Sequence, residues 1–376
     1  MKKIATLTLV LALVLTVGLF GCGTPQSSDP PPTDPPSQGG DDKPVDPPPV
    51  TDVADKAACI LGVGGLGDQS YNDLVYAGMQ RAETELGVAF DYAEPKQISE
   101  FELIMREMAS SGQYGVIVCV GFDQIDPLIK VAPEFPDQLF AIIDGVVEGD
   151  NIASYTCKEE EGSYLVGALA GLMSKEAEDY SMIKPGIGFI ASMEIPLLVK
   201  FAAGYDAGAK FVYPEATVQI DYIWGENPFS DPTTAKEIAV SQFNKGAGII
   251  YHAAGGSGLG VFQAAAENGF FAIGCNSNQN HIEPNHIVAS MLKRVDTAAF
   301  EIVKAAIIDG NLPVNSEVVL GVADDGVGIS LEGSNIKVKE EHAAIIEALR
   351  VRIANGELVI PTILEDVAAF LSANSL

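Results

Sequence analysis

From Ala57 onward, short uninterrupted apolar runs alternate with stretches of helical periodicity. Ala57–Val63 is the first such run, and Tyr71–Leu86 follows with apolar residues at Leu74, Val75, Ala82 and Leu86. Val88–Tyr92, Gly115–Val120 and Leu139–Ile143 read as further strands, with helices at Ile98–Ser111 and around Pro127–Ala132. A strand that is apolar at successive positions, rather than at every second one, must be covered on both faces. That is the condition of a parallel sheet. Strands alternating with helices in this way predict a doubly wound α/β domain.

The pattern restarts after Glu159. A helix at Glu160–Ser174 precedes strands at Gly186–Ala191, Thr217–Tyr222, Gly248–Ala253 and Phe271–Gly274, with helices between them. The 376 residues accommodate two domains at roughly 150 residues each. Two similar lobes are therefore expected, each with a crevice at its strand C-termini. Residues 57–158 plus 280–322 are assigned to the first lobe, and 159–279 plus 323–376 to the second. The helical segments Val295–Asp309 and Lys339–Asn355 are too short for a third domain and return to the lobes already made.

The N-terminus differs from this body. Lys2 and Lys3 precede an apolar run from Ile4 to Phe20, the layout of a secretory signal. Leu19-Phe20-Gly21-Cys22 resembles the lipobox of bacterial lipoproteins, in which the cysteine becomes the lipidated N-terminus. Residues 23–56 hold ten of the 22 prolines and almost nothing apolar. Such a segment cannot bury a core and is expected to be a disordered, semi-extended tether. Lipid, tether and body together describe a protein held on the extracytoplasmic face of the cell membrane.

Acidic residues number 51 against 22 basic ones, for a net charge of −29. Nucleic-acid binding, which needs a basic face, is excluded, and so is docking on anionic lipid through a basic patch. Cys59, Cys119, Cys157 and Cys275 show no CxxC spacing and read as small buried hydrophobes rather than disulfides. His281 and His286 sit in an Asn/Pro-containing loop, so no metal site is expected.

Two glycine loops carry the chemistry. Gly62-Val-Gly64-Gly-Leu-Gly67 follows a strand and precedes a helix, the position of a dinucleotide fingerprint. The next residues, Asp68-Gln-Ser70-Tyr71-Asn72-Asp73, are polar and side-chain rich, whereas a pyrophosphate needs bare backbone at the helix N-terminus. Side chains are expected to bind here instead, and no cofactor is expected. The second loop, Gly255-Gly256-Ser257-Gly258-Leu-Gly260, occupies the matching place in the other half. Aromatic residues flank both crevices, Tyr71 and Tyr76 in one half, Trp224 and Phe229 in the other. Opposed aromatics would sandwich a flat ring, and Asp and Asn would read its edge or a sugar's hydroxyls. Tyr76 and Trp224 fit a core position equally well.

These segments resemble the basic membrane protein family, the nucleoside-binding lipoproteins that serve ABC uptake systems. The resemblance runs from Gly64 to about Gly328. It rests on Gly65–Asp73, on Phe140-Ala-Ile-Ile-Asp144, and on Glu159-Glu-Glu-Gly162-Ser-Tyr-Leu-Val-Gly167. Met193-Glu-Ile-Pro196, Lys200–Gly204, Phe229-Ser-Asp231-Pro232, Ala253–Phe262 and Ser290–Asp296 extend it. The resemblance implies a type I periplasmic-binding-protein fold, two doubly wound parallel-sheet lobes joined by a three-stranded hinge. It implies a purine nucleoside between the lobes, with Asp68, Ser70 and Asn72 on the base. Phe229 would be one stacking face and Tyr71 or Tyr76 the other. Asp144, the Gly255, Gly256 and Gly258 backbone, and Lys293 would contact the ribose. Where family members carry Asp-Ser-Asp, this chain has Asn276-Ser277-Asn278. Asn276 keeps an acceptor but loses the charge-assisted strength of a carboxylate.

The expected function is capture of a purine nucleoside by lobe closure and its delivery to an ABC permease, by a monomer. A free nucleobase, another flat heterocycle, or sensing without transport are the alternatives. No catalytic residue is expected. A nucleoside-processing enzyme would need an Asp cluster, which Asn276 and Asn278 weaken.

Overall fold

A computed structural model describes residues 54–375. The signal segment, Cys22 and residues 23–53 of the expected tether lie outside the described residues. No helix among the described residues is long and apolar enough to cross a membrane.

The first sheet is built from β1 (Lys56–Ile60), β2 (Ala89–Ala93), β3 (Val116–Val120), β4 (Phe140–Ile143), β5 (Ile152–Cys157) and the late strand β11 (Ser316–Leu320). Their order is β11-β5-β4-β3-β1-β2, and every pairing is parallel. The second sheet contains β6 (Gly186–Ala191), β7 (Val218–Tyr222), β8 (Ala247–Ala253), β9 (Phe271–Asn276), β10 (Ile287–Lys293) and β12 (Val327–Ser330). Its order is β12-β10-β9-β8-β6-β7, parallel except that β12 runs against β10. The two orders match strand for strand, so the lobes are topological equivalents. This is the two-lobed type I binding-protein architecture.

The central strands are buried on both faces. β3, β4 and β8 have no exposed residue, while the edge strands β2 and β7 are only partly covered. In the first lobe, alternate residues of β1 enter opposite cores: Ala57 and Cys59 meet one, Ala58 and Ile60 the other. Helices α1 (Tyr71–Leu86) and α8 (Val295–Val303) cover one face, α2 (Phe101–Ser111) and α3 (Ile125–Val131) the other. In the second lobe α4 (Glu159–Lys175) and α5 (Pro196–Val212) lie opposite α6 (Pro232–Asn244) and α7 (Gly258–Asn268). The C-terminal helices α9 (Glu340–Ala354) and α10 (Val367–Ala373) extend the α4–α5 core. All four cysteines of the body are buried and none is bridged to another.

The chain passes between lobes three times, from β5 to α4, from β10 to α8, and from β11 to β12. The second passage corrects the expected boundary at 279/280. Residues Ile287–Leu292 pair in parallel with β9, so the chain leaves the second lobe only after Lys293. Sheet pairing at long range, not local pattern, sets that boundary.

Helices α4 and α5 approach backbone to backbone through glycines four residues apart on each, Gly167 and Gly171 against Gly204 and Gly208. A Cβ on Gly208 would lie 2.1 Å from the Tyr164 carbonyl oxygen, and one on Gly167 2.2 Å from that of Tyr205. Neither neighbour can give, because both are helix backbone. Gly208→Ala should therefore lower stability by about 1–3 kcal/mol through overpacking. Chemical denaturation would read this as a lower midpoint with unchanged slope.

Candidate ligand-binding cleft

The strand C-termini of both sheets face one cavity of about 860 Å³, lined from both lobes. Because the two sheet orders match, equivalent loops confront each other across it. The hinge edge brings Lys293 at the end of β10, then Asp144 after β4 opposite Asn276 at the end of β9. Next come Gly121, Phe122 and Asp123 after β3, facing Gly255 and Gly256 after β8. The far edge carries Lys96–Ser99 after β2 and Gly225–Phe229 after β7.

Asp144 and Asn276 are pseudo-equivalent and share an unusual backbone, with φ of 66° and 68°. Each turns its chain sharply at the strand end, the strained conformation that functional sites favour. Lys293 is 2% exposed. Its Nζ lies 2.5 Å from Asp144 Oδ2 and 2.9 Å from Glu159 Oε1, and Glu159 is itself fully buried. Burial alone would lower the lysine's pKa, but Asp144 and Glu159 outweigh it and hold the ammonium above its ordinary range. The Tyr71 ring lies 5.5 Å from the same ammonium, and its hydroxyl donates to the Ile143 carbonyl at 3.4 Å. Burial, then the negative Asp144, push the Tyr71 hydroxyl well above its usual value.

The first glycine loop is organised by two carboxylates. Asp68 accepts from the backbone N–H of Ser70, Asn72 and Asp73, and from the Asn72 amide. Asp73 accepts from the N–H of Gly67 and Gln69. Asn72 Oδ1 accepts from Gly62 N–H at 2.9 Å. The amides that would cradle a pyrophosphate are thus committed, which removes the dinucleotide reading. Asp68 and Asn72 border the cavity, yet most of their hydrogen-bonding capacity goes into shaping the loop. Burial raises the Asp68 pKa against those amides, which pull it down.

Ser70, expected on the ligand, is fully buried and joins the lobes instead. Its Oγ donates to the Cys275 carbonyl at 3.1 Å and accepts from Asn276 Nδ2 at 2.9 Å. Beside it, the Gln69 carbonyl accepts from Ser277 Oγ and Gln279 Nε2 of the second lobe. Tyr76 lies outside the cavity, edge-on to Phe90 at 5.5 Å and Tyr92 at 5.0 Å. Gly258 also packs behind the site, where a Cβ would fall 2.0 Å from the buried His252 ring. Gly255 and Gly256 do line the cavity, and the next residue, Ser257, holds the neighbouring loop. Ser257 N–H donates to the Phe229 carbonyl, and Ser257 Oγ donates to that of Pro228. Trp224 is half exposed and packs on Tyr222.

Phe229 does face the cavity, but its aromatic partner is Phe122. The two centroids are 6.3 Å apart at an interplanar angle of 50°. Sequence reading missed Phe122 and its neighbour Asp123. The signal available was their place directly after the all-apolar strand β3, where ligand-facing residues belong. Asp123 borders the cavity, and no cation of the described residues pairs with it. Burial pushes its carboxyl up to about 6.

The family model for PnrA-like ABC transporter substrate-binding proteins, Bmp, matches residues 56–363. The chain belongs to this family. It is similar to an uncharacterised lipoprotein of Pyrococcus abyssi, with 33% identity over 73% of this chain and 68% of that one. An ABC transporter nucleoside-binding protein, BmpA, of Lactococcus lactis is 27% identical over 82% of this chain and 89% of its own. Among solved structures, an ABC transporter solute-binding protein of Aeropyrum pernix superposes with a TM-score of 0.75. It is 29% identical, covering 85% of this chain and 99% of that one. This Bmp-family member is a substrate-binding protein of an ABC transporter.

An unpaired carboxylate in the cleft has a thermodynamic signature. With a pKa of 3.8 unfolded and about 6 folded, Asp123 binds more proton in the native state between those values. Its contribution therefore falls as pH rises from about 4 to 6 and stays unfavourable above. Asp123→Asn should raise stability at pH 7 by up to about 3 kcal/mol and flatten that part of the stability–pH curve. Denaturation between pH 4 and 8 would read both effects.

Proposed function

We propose that this substrate-binding protein captures a purine nucleoside and hands it to its permease. The observation that carries this reading is the pair of rings, Phe122 and Phe229, one from each lobe, beside a polar end formed by Asp144, Asn276 and Lys293. A planar base suits the rings, and a polyhydroxyl sugar suits carboxylate and amide acceptors. A nucleotide suits the site poorly. Asp68, Asp123, Asp144 and Glu226 line the cavity against only Lys96 and Lys293, so a phosphate would meet net negative charge. The printed name of the Lactococcus relative, a nucleoside-binding protein, supports the same ligand class.

Lipidation at Cys22 would hold the body on the extracytoplasmic face, with the Pro-rich segment as tether. The cleft needs no partner subunit, and we read the protein as a monomer that binds without chemistry. One observation favours a base lacking its sugar. Asn276 spends one N–H on Ser70 and offers no charge to ribose hydroxyls.

A thermal-shift screen of the full chain distinguishes these ligands. Adenosine, guanosine and inosine should raise Tm by binding the folded state, while cytidine and uridine should do so less. Phe229→Ala and Phe122→Ala should each weaken purine nucleoside binding by about 1–3 kcal/mol, the worth of a base–aromatic stack, without unfolding the lobes. Shifts with free bases alone would move the reading to a nucleobase. No shift with any purine would overturn it.

A further inference from the structure

The nucleoside reading leaves one end of the cavity unused. Its hinge edge is sealed, because Lys293, Asp144 and Glu159 are buried there and the passages between lobes run past it. The loop before α1 is also fastened across the cleft, through Gln69 and Ser70 to residues 275–279. The opposite edge, between the loops after β2 and β7, is different. Among the described residues, no hydrogen bond or ion pair joins 96–99 to 225–230. Ile98 lines the cavity there and is 60% exposed, although it is a large apolar side chain. Gly225 lines the same cavity from the other lobe, with φ of 107° and open space where a Cβ would be. Lys96 is close to Glu94, at 4.0 Å, so the rim offers no unmatched cation for an anionic tail.

We infer that this mouth is a second subsite, which takes an apolar substituent carried on the base. The inference rests on the nucleoside reading and deepens it. The direction follows from the strand order. Phe229 shares its loop with Gly225–Pro228, so the ring pair adjoins the mouth, while the polar groups that suit a sugar lie at the hinge edge. A purine held this way points the edge remote from its glycosidic nitrogen outward, and that edge carries the exocyclic group at C6. A substituent there leaves the ring pair between Ile98 and Gly225 and covers the exposed isoleucine. A cavity near the upper end of the ~300–1,000 Å³ range of small-molecule sites has the room. The substrate class is therefore N6-substituted purine nucleosides, with the unsubstituted nucleoside as the lesser ligand.

Calorimetric titration of the full chain with adenosine and with N6-benzyladenosine tests this. The expected result is about tenfold tighter binding of the benzyl compound, as apolar area is removed from water. Ile98→Asp should cancel that advantage, bringing the two affinities together. Equal or weaker binding of N6-benzyladenosine than of adenosine would overturn the mouth subsite alone. An advantage that survives in Ile98→Asp would overturn it too. Binding of neither compound would overturn the nucleoside reading, and this inference with it.

Discussion

The buried ammonium of Lys293 is the interaction on which the rest depends. It sits between Asp144 of the first lobe and Glu159 at the start of α4, and Glu159 also reaches Lys200 at 3.3 Å. Burying any one of these charges alone would cost several kcal/mol, so each persists only because the others are in place. All three passages between the lobes are tied to this point. Glu159 binds the residue that ends β10. Glu161 accepts from the Val322 N–H on the passage from β11 to β12. Lys158 N–H donates to the Leu320 carbonyl. The first turn of α4 thus gathers the hinge, and its three glutamates sit where the helix dipole favours negative charge.

Hinge and cleft are consequently one electrostatic unit. Asp144 borders the cavity and contacts the lysine that ends β10, so a ligand touching Asp144 touches the hinge through a single ion pair. In the proposed reading, closure would be a hinge motion in which ligand contacts from both lobes add to the bonds that Gln69 and Ser70 already make across the cleft. The aromatic pair sets the geometric condition. Two faces gripping a ring need roughly 7 Å between them, at 3.5–4.0 Å per contact. At 6.3 Å and tilted, Phe122 and Phe229 are closer than that, so a base held between them as proposed would part them slightly.

Much of the fold was legible because uninterrupted apolar runs admit few arrangements. The repeat of the pattern after Glu159 exposed the second lobe. The lobe boundary near 280 was not legible, since the pairing of β10 with β9 is decided by the whole sheet. The candidate site divides in the same way. Tyr71, Asp144, Phe229, Gly255, Gly256, Asn276 and Lys293 line the cavity, and all but Tyr71, which opens α1, end a strand or follow one. Ser70 looked like a ligand contact because it lies in a polar loop. Its role depends on Asn276, 206 positions away, and no local pattern carries that. Tyr76 lies on the wrong side of α1, and Phe122 escaped notice as one more apolar residue after an apolar strand. Asp68 and Asn72 were placed at the cavity, but their work for the loop backbone was hidden.

The most direct measurement is a crystal structure of the chain with adenosine bound. The account predicts the base between Phe122 and Phe229, the rings parted to about 7 Å as two stacked contacts require, and the ribose beside Asp144 and Asn276. A nucleoside seated away from the ring pair, or lying with its sugar toward Ile98, would contradict it.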